Sequence, residues 1–213
     1  MSQVLVHPCY FGSIAQYVAL TKAKEIVFEE CDNYQKQTFR NRTYIYGANG
    51  KLLLNIPILH SGVKGVKRLY KDIKIEHQFN TMTIHWKSLQ SAYRTSPYFE
   101  FYEDELAPIF EHKSEFLLDF NYKCTQFIFD CLQLDIPISK TTDYEIAPKN
   151  STDFRHLANS KNTQKDHRFE NYMQVFQDKH GFIPNLSILD LLFAEGPNAL
   201  TYLERQELYI PEV

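Results

Sequence analysis

His7-Pro8-Cys9 places an imidazole and a thiol two residues apart, directly after the apolar run Val4-Leu5-Val6. If that run is a strand, both side chains stand at its carboxyl end, where ligands collect in open α/β sheets. His7 is then a candidate base and Cys9 a candidate nucleophile. The plainer alternative is a strand-end histidine bonded to backbone beside a buried cysteine, since no third orienting group is visible. A second acid- and base-rich stretch follows Glu25-Ile26-Val27-Phe28: Glu29-Glu30, Asp32, Lys36, Arg40 and Arg42. Acids at a strand end can bind ribose hydroxyls or act as a base, and an arginine can grip a phosphate in a bidentate manner. The competing reading is a solvated loop of surface ion pairs, which contribute little.

Further along, His85 and Tyr93 are eight apart in a helical pattern and return to a similar face, whereas Trp86 points about 100° away from His85 and reads as core. An imidazole titrates near neutrality, so His85 is a second candidate acid or base; the alternative is a histidine bonded to neighbouring backbone. His156, His167 and His180 are spaced without local metal-ligand support, and no cysteine pair has C-x-x-C spacing, so no metal site is expected. Cys124 and Cys131 share one helical face and read as small buried hydrophobes. The Lys64, Lys67, Arg68 group reads as a solvated basic face. Asp190 sits inside an apolar run, so its carboxyl must be capped, paired or protonated, a structural role.

These side chains need elements to hold them. Val4–Val6, a helix within Tyr10 to Lys24, and Glu25–Glu29 form a βαβ unit with parallel strands and a right-handed crossover. Tyr44-Ile45-Tyr46 and Leu52 to Ile56 flank Gly47-Ala48-Asn49-Gly50, a hairpin signal. Ile73-Lys74-Ile75-Glu76 alternates and predicts one more strand. From Asn80 the period turns helical: one helix to Tyr93, a break at Pro97, then the strongest helix from Ser114, its expected N-cap, to Leu134. Ala147 to Lys165 is polar and reads as a long loop, a candidate lid opened by Pro148-Lys149. Leu191-Leu192-Phe193 and a short helix near Asn198 to Leu203 close the chain. The expected fold class is α/β: a βαβ-type N-terminal sheet extended by a hairpin (1–78) and a mainly helical portion (79–213), all in one domain.

The 213 residues are enough for a core that needs no disulfide or metal staple. A net charge of -3 carries no clustered basic excess of the kind a nucleic-acid footprint needs. No stretch reaches the ~18 apolar residues of a membrane span, and the N-terminus lacks the pattern of a signal peptide, so a cytoplasmic protein is expected. The 16 Phe and 14 Tyr allow an aromatic core with hydroxyls left to line a pocket.

Four ordered segments together resemble the WbqC-like protein family. They are His7-Pro8-Cys9-Tyr10-Phe11 with its helix; Asn41-Arg42 before the hairpin, behind Glu29-Glu30 and Lys36; His85 to Tyr93 with Ser96-Pro97-Tyr98-Phe99; and Asn185 to Phe193 with Glu195-Gly196-Pro197. The family usually has Gln where His7 stands. The resemblance implies a bacterial cytoplasmic protein of surface-polysaccharide (O-antigen) synthesis, and transfer of an acyl or aminoacyl group to an amino sugar. Pro8 to Tyr17 is also similar to the first βα turn of nucleotidylyltransferases, without their paired histidines.

The resulting expectation is a transferase acting on a nucleotide-linked amino sugar in a cleft between the first two strand ends and the helix of His85. His85, His7 and Tyr93 form the catalytic set. Arg42, Asn41, Glu29, Lys36, Tyr10 and Lys149 form the substrate-binding set. The cofactor is left unspecified; the partners expected are a small-molecule substrate, with a nucleotide sugar and a homodimer as candidates. Two other readings stay open: a non-catalytic binding or assembly protein, and a nucleotide-binding protein that keeps a nucleotidylyltransferase-like turn without its catalysis.

Overall fold

A computed structural model describes residues 2–60, 67–161 and 167–208. Apolar Val4, Leu5 and Val6 form β1 (Gln3–Val6), and the chain turns through Pro8 into α1 (Ile14–Thr21), buried over seven of its eight residues. It then runs back as β2 (Glu25–Phe28). The hairpin follows as β3 (Arg42–Gly47) and β4 (Gly50–Asn55), paired in register from Arg42↔Asn55 to Gly47↔Gly50. Its two-residue tip is Ala48-Asn49, and Gly50, with φ +93, takes the left-handed backbone that closes it. Three helices succeed it: α2 (Thr81–Tyr93), α3 (Phe99–Glu111) and α4 (Leu117–Leu132). Two short strands, β5 (Ile138–Lys140) and β6 (Thr152–Asp153), precede α5 (Gln177–His180), α6 (Ile188–Glu195) and α7 (Ala199–Arg205).

The sheet order is β5-β2-β1-β6, and all three pairings are parallel. The chain leaves β1 for β2 on one side and returns to β6 on the other. The strand order therefore reverses at β1, the point where open α/β sheets leave a crevice beyond their carboxyl ends. One apolar cluster runs from Val4 and Ile26 of the sheet through Ile45 of the hairpin to Leu89, Phe120 and Leu191 of the helices. The parallel sheet, the antiparallel hairpin and a mainly helical C-terminal half are as the sequence pattern predicts; the hairpin forms a two-stranded sheet of its own rather than extending the first.

Local expectations shift in three places. Ile73–Glu76 is not a strand: a 3-10 turn at Tyr70–Asp72 leads into single bridges, Ile58↔Ile75 and Lys74↔Phe116. The long helix starts later than Ser114, with Phe116 at its N-cap; Ser114 instead accepts from Lys123 Nζ through its hydroxyl and from the His77 ring through its carbonyl. The polar stretch 147–165 is not one loop. It contains β6 and a 3-10 turn at Arg155–Ala158, and only its last residues, with Lys64 of the basic face, lie outside the described residues.

Candidate functional site

At the reversal point His7, Asp32, Arg40, Asp153, Arg155 and His156 line a polar cavity of about 240 Å³, with Tyr144 and Ile146 at its margin. Each is carried there by the sheet. His7 is the residue after β1, Asp32 follows β2, and Asp153 and Arg155 end β6 and begin the turn beyond it. Arg40 comes from the loop before the hairpin, which is pinned by Tyr10 N to Phe39 O (2.9 Å) and Phe39 N to Ala158 O (2.7 Å).

Two ion-pair groups fill the floor. In the first, Arg40 Nη2 donates to Asp32 Oδ2 and to His7 Nε2, both at 2.6 Å, while Nη1 donates to Asn33 O at 2.9 Å. The guanidinium also sits 5.2 Å over the Tyr70 ring. Burial pushes the His7 ring down to about 4; Asp32 opposes that and the Arg40 charge adds to it. His7 is thus a neutral imidazole at pH 7, and its Nε2 serves as acceptor for Arg40. Burial raises the Asp32 carboxyl, but His7 and Arg40 outweigh it and hold it down at about 2. In the second group, Arg155 donates from Nε and Nη2 to the two oxygens of Asp153, at 3.0 and 2.6 Å, and from Nη1 to Glu29 Oε2 at 3.1 Å. Those bonds raise the Arg155 pKa, and they hold Asp153 low against the opposing effect of burial. Glu29, fully buried, also accepts from Cys31 N and Thr141 Oγ1.

Cys9 faces away from nucleophilic chemistry. Its Sγ donates to His7 O at 3.4 Å, and burial pushes the thiol up to about 12. The start of α1 is closed too. Ile14 N donates to Leu186 O (3.0 Å), Ala15 N to Asn185 Oδ1 (2.8 Å) and Gln16 N to Ser13 O (3.0 Å). The Gln16 side chain folds back, Nε2 donating to His7 O, and its Oε1 would lie 2.0 Å from a Cβ at Gly12. Phosphate binding at a helix N-terminus needs free amides, and these are occupied. The nucleotidylyltransferase-like turn is therefore closed by the protein's own backbone carbonyls and side chains.

The remaining predicted residues are placed elsewhere. His85 bonds through Nδ1 to Tyr10 Oη at 2.9 Å inside the core, and burial lowers its pKa to about 4. Tyr93 donates to Asp190 Oδ1 at 2.7 Å and accepts from Tyr46 N at 3.0 Å. Asp190 also receives Tyr172 Oη (2.6 Å) and Gln174 Nε2 (2.8 Å), so this buried acid is satisfied as a structural node. Asn41 bonds the hairpin through Asn55 Oδ1 and Ile56 O, Arg42 begins β3, and Lys36 and Lys149 are exposed. The cavity thus joins His7 and, through Arg155, Glu29. Arg155 and Asp153 lie in the polar stretch that sequence reading took for a loop; an acid and a base two apart, D-x-R, is the signal that marked them. The sequence favours Arg42 over Arg40, but the structure puts Arg40 in the cavity and Arg42 at the start of β3; Arg40 lies in the turn before the strand, where strand alternation gives no rule.

Among the described residues no group of three or more His, Cys, Asp or Glu side chains converges as a metal site, and no helix is long and apolar enough to cross a membrane. No solved structure matches the chain. A Mycobacterium tuberculosis protein, "Uncharacterized protein Rv1507c", is 26% identical over 208 residues, covering 84% of this chain and 87% of its own length. The WbqC-like protein family model matches residues 7–173, a span that starts at His7 and contains all the lining of the strand-end cavity. The chain belongs to the WbqC-like protein family.

Proposed function

We propose that this protein is a transferase that places an acyl or aminoacyl group on the amine of a nucleotide-linked amino sugar, in bacterial surface-polysaccharide synthesis. The observation that carries the reading is the cavity at the sheet's reversal point, lined by side chains that a sugar's hydroxyls and amine can bond. Membership of the family supports the choice of chemistry. In the reaction the ammonium first gives a proton to water, and the freed amine nitrogen forms a bond to the donor's acyl carbon. The bond from that carbon to the donor's sulfur or oxygen breaks, the leaving group keeps the electron pair, and the proton lost by the amine passes to it or to water. His7 and Arg40 act here as a fixed polar floor that orients the acceptor, with His85 and Tyr93 holding the core beneath.

The test is mass spectrometry of a nucleotide-linked amino sugar incubated with the protein and an acyl-coenzyme A or aminoacyl donor. The reading expects the acceptor to gain the mass of the transferred group, with Arg155→Gln slowing the gain at least tenfold. An unchanged acceptor across the donor classes overturns it.

A second reading, a binding or assembly protein, rests on a groove of about 870 Å³ between α3 and α4. Phe101, 73% exposed, stands at its rim beside Ile109 and Phe127. Light scattering that reports a dimer, lost on Phe101→Glu, together with an unreactive acceptor, favours that reading.

A further inference from the structure

We propose that the strand-end cavity selects its substrate by the amine, received at Asp32 Oδ1, and that the aminated sugar alone enters it while the nucleotide stays outside. This rests on reading the cavity as the transferase's acceptor site.

The argument is one of donors and charge. Four of the five Arg155 N–H donors are taken, by Asp153, Glu29 and the Ile146 carbonyl. Arg40 is occupied by Asp32, His7 and the Asn33 carbonyl, and its Nε is enclosed by protein without a partner. A phosphate could grip either guanidinium in a bidentate manner only by displacing a carboxylate that is itself largely buried, leaving that charge uncompensated. With His7 uncharged, the two carboxylates that line the cavity, Asp32 and Asp153, balance its two guanidinium groups, and Glu29 is fully buried behind Arg155.

The acceptor capacity is uneven. Both oxygens of Asp153 take Arg155 donors, and both oxygens of Glu29 are bonded. Asp32 Oδ2 accepts from Arg40 Nη2. Asp32 Oδ1 takes none from the described residues, although the side chain is only 10% exposed and lines the cavity. A nearly buried carboxylate oxygen, left open in the cavity wall, is the complement of an ammonium, which has three donors and no acceptor. Size agrees. About 240 Å³ falls below the ~300–1,000 Å³ of pockets that enclose drug-sized ligands, and suits one sugar rather than a sugar with its nucleotide.

The test is titration calorimetry of the full chain with glucosamine, glucose, N-acetylglucosamine and inorganic pyrophosphate. Glucosamine is expected to bind at least about tenfold tighter than the two neutral sugars, the range of a charge-assisted hydrogen bond, and pyrophosphate not to compete with it. Asp32→Asn is expected to erase the preference and keep glucose binding. If that variant fails to fold, the wild-type ranking decides alone. Equal affinity for the three sugars, or competition by pyrophosphate, overturns the proposal. An amine preference without any acyl transfer leaves it standing and removes the transferase reading. Transfer that proceeds as well on a sugar hydroxyl removes this proposal alone.

Discussion

His7 Nε2 and Arg40 Nη2 lie 2.6 Å apart across 33 residues of chain, and the ring accepts because burial keeps it neutral. That contact couples the end of β1 to the loop entering the hairpin, and it sets the orientation of the Arg40 guanidinium in the cavity floor. The family's usual residue here, a glutamine, carries an amide oxygen that can accept the same bond. His7→Gln is therefore expected to keep the fold and ligand affinity within about threefold, whereas His7→Ala leaves a buried donor unmet and costs about 1–3 kcal/mol. Chemical denaturation of both variants checks this.

Acid lability follows from the same burial. His7 and His85 each titrate at about 4 in the fold against 6.5 outside it. Between those values the unfolded chain binds more protons, so stability rises with pH. Each group's contribution is complete above pH 6.5 and is lost as pH falls toward 4, an amount on the order of 3 kcal/mol per ring. Asp32, held at about 2, adds its own loss only below pH 4. Urea midpoints at pH 7, 5.5 and 4.5 should fall in that order, and His7→Gln should flatten the slope.

Arg40 and Asp32 form a pair in which neither can be removed alone without cost. Arg40→Ala strands a carboxylate that is only 10% exposed, with an expected loss of about 3–5 kcal/mol. The double variant with Asp32→Ala should recover part of it. A double-mutant cycle by denaturation measures the coupling; additive losses would contradict the paired arrangement.

Tyr93 holds Asp190 and the Tyr46 amide together, away from the cavity lining. Tyr93→Phe is expected to lower stability by about 1–3 kcal/mol and leave sugar affinity unchanged. A binding titration beside a melting curve separates the two effects.

The βαβ unit and the hairpin are legible in the sequence because each leaves a local trace: an apolar run, a helical period, a Gly-containing tip. β6 leaves none. Two residues, Thr152 and Asp153, have no periodicity, and the strand exists only because β1 offers Val4 and Leu5 as partners. With β6 unseen, Arg155 could not be brought to the site, nor the reversal of strand order located. The choice between Arg40 and Arg42 has no local trace either: Arg40 lies in the turn before β3, where the alternation of a strand does not apply. His85 and Tyr93 do share a helix face, as their spacing requires, but that face meets Tyr10 and Asp190 in the core rather than the strand ends.

The most direct test of the strand-end cavity as the binding site is a thermal-shift titration of nucleotide-linked and bare amino sugars against wild type, Arg155→Gln and His85→Gln. Ligand that binds the folded state raises its melting temperature by mass action. The account predicts a shift in wild type, the same shift in His85→Gln from that variant's own baseline, and none in Arg155→Gln. A shift that survives in Arg155→Gln and vanishes in His85→Gln would move the site away from the strand ends and contradict the account.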